Sequence, residues 1–97
     1  MLVHFRALAE DPKVRSLLMD IRKSPPFLGP RTQRVLCLAF AAFEDAQTPI
    51  AVLPASVVQG LQIQRTLAVH APLYGRDFSS ALVAEKWLVS FSESHER

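Results

Sequence analysis

The sequence predicts an α+β domain built from three main helices and one long β-hairpin. Three observations carry that prediction: a helical set of apolar residues early in the chain, a dense apolar run after the prolines near residue 30, and a period-two alternation over residues 61–71. Residues 1–97 are read as a single globular domain.

Leu2 to Ala9 reads as a short helix. The first main helix is expected over about 12–23. Asp11 suits the cap and Pro12 the first helical position. Val14, Leu17, Leu18 and Ile21 follow the i, i+3, i+4, i+7 spacing of one face, with Lys13, Ser16, Asp20 and Lys23 opposite. Ser24 to Pro30 holds three prolines and a glycine, which stop a helix. Phe27 and Leu28 make this stretch too apolar for a free linker, so an ordered, packed connection is expected.

The second helix is expected over about 31–46, closed by Thr48-Pro49. Val35, Leu36, Leu38, Ala39, Phe40, Ala42 and Phe43 surround it on nearly every side, the pattern of a buried central helix.

Leu61, Ile63, Leu67, Val69 and Ala71 occupy odd positions, with Gln62, Gln64, Thr66 and His70 between them and Arg65 as the interruption. That alternation predicts a strand over about 61–71. Ile50 to Leu53 reads as a partner strand, and a Gln59-Gly60 turn gives a hairpin of about 49–58 and 61–71. A short helix from Pro54 to Gln59, capped by Gly60, is the rival for that stretch. The long strand also suggests a sheet completed across a two-fold axis by a second copy. Asp77 is then expected to cap a last helix over about 78–93, with Ala81, Ala84, Leu88 and Phe91 on its inner face.

The chain is 49% hydrophobic and 21% charged, which excludes a disordered polypeptide. For so short a chain, that apolar content favours a homodimer or a docked partner. No apolar run reaches the ~20 residues of a membrane span, and residues 1–10 lack the features of a secretion signal. A lone Cys37 in apolar surroundings suits a reducing compartment, so a cytoplasmic protein is expected. The same surroundings argue against Cys37 as a nucleophile.

His4, His70 and His95 are widely separated and have no companions at metal spacing, so neither a metal nor a cofactor is expected. The loop from His70 to Asp77 is the densest polar cluster. There His70 as a base and Arg76 as an anion contact, beside Ser79 and Ser80, form a candidate loop site that lacks a complete catalytic set.

Charge is unevenly spread. Residues 1–34 carry seven basic against three acidic residues, a net of +4; residues 35–97 carry four against six, a net of −2. Arg22, Lys23, Arg31 and Arg34 bracket the proline segment, and Arg31 and Arg34 occupy a helix's first turn, where cations oppose the dipole. These four, with Arg65, are the candidate anion or nucleic-acid contacts, and Gln62, Gln64 and Thr66 on a ribbon are candidate base readers. The leading expectation is a non-enzymatic protein-interaction module of the regulator, adaptor or inhibitor type. The alternative is a nucleic-acid-binding protein using the basic third and the hairpin.

Overall fold

Strands and helices alternate along the whole of the described chain. The computed structural model describes residue 11 and residues 13–95, with side chains through residue 91. The order is β1 (Leu17–Asp20), α1 (Pro30–Asp45), β2 (Ile50–Leu53), α2 (Val57–His70), β3 (Gly75–Asp77) and α3 (Ala81–His95). The strands form one parallel sheet in the order β1-β2-β3, with Leu17 opposite Ile50 and Ile50 opposite Gly75. Parallel neighbours need a crossover, which α1 and α2 provide.

A parallel sheet is covered by helices on both faces. Ile50 and Val52 point into a core with Leu36, Phe40 and Phe43 of α1 and Ile63 and Leu67 of α2, joined by Leu17 and Met19. Ala51 and Leu53 point the other way, against Ala84 and Leu88 of α3, joined by Leu18 and Trp87. Two helices thus cover one face and one helix covers the other. β2 is the central strand and is wholly buried.

The mixed helix-and-strand class holds, but the hairpin and the sheet shared between two copies do not. Residues 61–71 are not a strand: they belong to α2. Its buried residues, Gln59, Gly60, Ile63 and Leu67, lead on to buried Ala71 and step by about four, whereas Leu61 is 56% and Val69 73% exposed. The odd-position alternation therefore does not mark a buried face. Nor is the rival Pro54–Gln59 helix found, because α2 begins at Val57 and runs through Gly60. Ser56 caps it: its Oγ accepts from the Gln59 backbone N–H at 3.0 Å. The strand expected over 49–58 is reduced to Ile50–Leu53.

The helix expected over 12–23 is replaced by β1. Leu17 and Met19 pack, partly buried, against one core and Leu18 against the other, and a strand with apolar contacts on both faces shows no period. Asp11 does accept a backbone bond, from Lys13 N at 2.9 Å, but the turn is not continued. The short helix read at residues 2–9 and the Pro12 start lie outside the described residues.

Helix α1 fulfils the 31–46 expectation, with Pro30 at its first turn and Gly29 at the cap. It is not buried all round: Leu36, Ala39, Phe40 and Phe43 are inside, and Leu38 is exposed. It ends in a paired closure, Thr48 N to Phe43 O at 2.9 Å and Gln47 N to Glu44 O at 3.0 Å. Helix α3 fulfils the last expectation, but Asp77 is not its cap. Asp77 ends β3, and the Ser80 carbonyl accepts the Ala84 N–H, which places Ser80 at the cap position.

Candidate functional site

The carboxyl ends of the three strands lie along one edge, with the loops 21–29, 54–56 and 78–80 leading away from them. Polar side chains of α2 fasten the first of these loops. Gln59 is fully buried; its Oε1 accepts from Ala55 N at 2.6 Å, and its Nε2 donates to Ser24 Oγ at 2.9 Å and to Pro25 O at 2.7 Å. Ser56 Oγ donates to Pro26 O at 2.6 Å. Gln62 accepts from Leu28 N at 2.9 Å and donates to Leu28 O at 3.2 Å. The proline-rich segment lacks several N–H donors of its own, so side chains from α2 meet its carbonyls. It is the ordered connection that its composition predicts, with Leu28 buried and Phe27 exposed.

Between the second and third loops lies a cleft of about 330 Å³, bordered by Pro54, Gly60, Leu61, Gln64, Asp77 and Phe78 among others. Asp77 Oδ2 accepts from Gln64 Nε2 at 3.1 Å. Phe78 is braced by Trp87, with ring centroids 5.4 Å apart, and the Arg76 guanidinium lies 5.8 Å from its ring centre. The sequence offers Gln64 only as a base reader on a ribbon and Asp77 only as a helix cap, so neither is foreseen as lining a cleft. The signal that locates them is Ser56-x-x-Gln59, a capping-box spacing that sets the start of α2 and hence the end of β2.

No protein-family model matches the chain, and neither a curated protein nor a solved structure matches it.

The sequence-derived candidates are dispersed. Arg22 is engaged by Asp20 through Nε to Oδ1 at 2.9 Å and Nη2 to Oδ2 at 2.8 Å, and its backbone N–H adds a bond of 3.1 Å. Those bonds hold the Asp20 carboxyl down at about 2, the Arg22 side chain first and its N–H second. Lys23 follows in the exposed loop. Arg31 and Arg34 lie exposed in the first turns of α1, and Arg65 is exposed on α2. Gln62 is turned to Leu28, Gln64 to Asp77, and Thr66 Oγ1 to Gln62 O, so the expected base-reading ribbon is absent.

His70 ends α2, and Arg76 lies in β3 over Phe78; among the described residues no hydrogen bond joins them. Tyr74 packs edge-on against Phe91 at 5.2 Å, while Glu44 of α1 accepts from Tyr74 N at 2.8 Å, so this loop is structurally tied. Ser79 borders the cleft, and Ser80 heads α3. Cys37 is half-buried on α1, not deep in the core. His4 and the His95 side chain lie outside the described residues. Among the described residues no group of histidine, cysteine and carboxylates could hold a metal, and no helix is long and apolar enough to cross a membrane.

A second surface is the outer face of α3. Leu82 is 61% and Val89 58% exposed, and a shallow groove runs past them beside Glu85, Lys86 and Ser90. Their i, i+3, i+4, i+7 spacing places Leu82, Glu85, Lys86 and Val89 on one stripe.

Proposed function

We propose that this protein is a non-enzymatic interaction module whose outer α3 face docks on a second copy of itself. The observation that carries the reading is the symmetry of the stripe Leu82-x-x-Glu85-Lys86-x-x-Val89. It is a palindrome in chemical character, centred between Glu85 and Lys86. Two such helices packed antiparallel about that centre bring Leu82 of each copy to Val89 of the other. The same operation brings Glu85 to Lys86 twice, as a two-fold interface demands. Apolar ends and paired charges are satisfied together by a copy of the same face. One helix offers a small area, so association falls in the micromolar range or weaker. The basic residues do not enter this reading, since Arg22 is engaged by Asp20 and the others lie on different elements.

Sedimentation equilibrium from micromolar to millimolar protein tests it. The native chain is expected to shift from monomer to dimer across that range. Lys86→Glu places two acidic rows against each other and should abolish the shift. Adding Glu85→Lys reverses both rows and should restore it. A native chain that stays monomeric at millimolar concentration, or a double variant that fails to recover, refutes the α3 interface.

A further inference from the structure

The topology assigns a second, separate site to the cleft between the loops after β2 and β3. We infer that it binds a small uncharged molecule combining paired hydroxyl donors with a flat apolar body, as a nucleoside does. It is independent of the α3 outer face. The two helices that follow β2 and β3 run to opposite faces of the sheet. β2 and β3 are neighbours, and Val52 lies opposite Asp77 at their carboxyl ends. After β2 the chain turns to the face that α1 and α2 share, where Ile63 and Leu67 pack on Ile50 and Val52. After β3 it turns to the opposite face, where Ala84 and Leu88 pack on Ala51 and Leu53. Two adjacent strands whose following helices depart to opposite faces must leave a crevice between their loops. In open parallel sheets that divergence is where ligands bind.

The crevice is built from residues of two chemical kinds. Asp77 stands at the end of β3, its carboxylate held by Gln64 Nε2 at 3.1 Å. A carboxylate fixed by one donor still has acceptor capacity for others, and it accepts paired hydroxyls well. Pro54, Leu61 and Phe78 supply apolar walls, and Trp87 behind Phe78 keeps that wall in place. A volume of about 330 Å³ lies at the lower end of the range for small-molecule sites. The negative charge of Asp77 disfavours a phosphate at this position, so the free nucleoside is preferred over its nucleotide.

The test is titration of the full chain with adenosine, followed by backbone amide chemical shifts in ¹⁵N-labelled protein. Saturable shifts concentrated at residues 55–64 and 77–79 are expected at millimolar adenosine. Asp77→Asn retains an acceptor for Gln64, so it should keep the folded spectrum while weakening adenosine at least about fivefold. Adenosine monophosphate should bind more weakly than adenosine. The assignment fails if adenosine leaves the spectrum unchanged at millimolar concentration. It also fails if the shifts gather elsewhere, if Asp77→Asn binds equally well, or if the monophosphate binds more tightly.

Discussion

Gln59 Nε2 donates to Ser24 Oγ at 2.9 Å, joining the first turn of α2 to the loop after β1 across 35 residues of sequence. The same carboxamide meets Pro25 O and Ala55 N, so one side chain ties the loops after β1 and β2 together at the carboxyl edge of the sheet. Ser24 passes the connection on by donating to Ile21 O at 2.6 Å. Replacing Gln59 with alanine leaves the part-buried Ala55 N–H and Pro25 carbonyl without this partner and opens space at a fully buried position. A loss of about 2–4 kcal/mol is expected. Urea denaturation measures it, and a loss below about 1 kcal/mol would mean that water replaces the carboxamide at little cost.

Gly75 opens β3 where the strand passes the end of α2. A Cβ built there lies 2.6 Å from Leu67 Cδ2, 2.9 Å from Ala71 Cβ and 3.0 Å from Ala71 O. The glycine is required by space, since its φ is not positive. Leu67 can rotate away, but the Ala71 backbone cannot. Gly75→Ala is therefore expected to cost about 1–3 kcal/mol, read as a lower midpoint of thermal unfolding. Gly60→Ala is the control. Its added methyl meets Pro54 Cγ at an ordinary 3.5 Å, and it removes a glycine from a helix interior. It should raise stability by about 0.5–1 kcal/mol.

These positions show what the sequence could and could not disclose. The α1 and α3 helices were legible because a proline stop, a helical apolar pattern and their length all agree. β2 was legible as a short apolar run bounded by Pro49 and Pro54. β1 was not, because Leu17-Leu18-Met19 serves two cores at once and its neighbours fall by chance at helical spacing. α2 was misread because Leu61 and Val69, both exposed, complete an odd-position pattern that reflects no buried face. The capping residues Ser56 and Gln59 carried the better signal. The cleft follows from the parallel order of the strands, and once α2 is read as a strand no cleft can be foreseen. The basic residues were visible in sequence, but the engagement of Arg22 by Asp20 became evident only with the loop geometry.

Gln47 is the one non-glycine with a positive φ, 57°, among the described residues. It occupies the left-handed position that closes α1, between the Ala46 cap and Thr48. A side chain is disfavoured there, and glycine is the usual occupant. Gln47→Gly relieves this strain without touching a buried group, since the side chain is exposed. A gain of about 1 kcal/mol is expected, less the extra freedom of glycine in the unfolded chain. An unfolding midpoint that falls would mean that the Gln47 side chain makes a compensating contact.

Asp20 and Arg22 supply a pH signature at the end of β1. The Arg22 side chain and N–H lower the Asp20 carboxyl from its usual 3.8 to about 2. A group depressed in the folded state stabilises above its unfolded value and loses that contribution as pH falls through the folded one. The pair therefore contributes above about pH 4 and fades between about 4 and 2. Both partners are about half exposed, so the effect on global stability is small. The local effect is direct. A ¹³C titration of the Asp20 carboxyl should show a midpoint near 2, and Arg22→Ala should move it toward 3.8. An Asp20 midpoint that is already ordinary in the native chain would show that the bidentate geometry does not persist in solution.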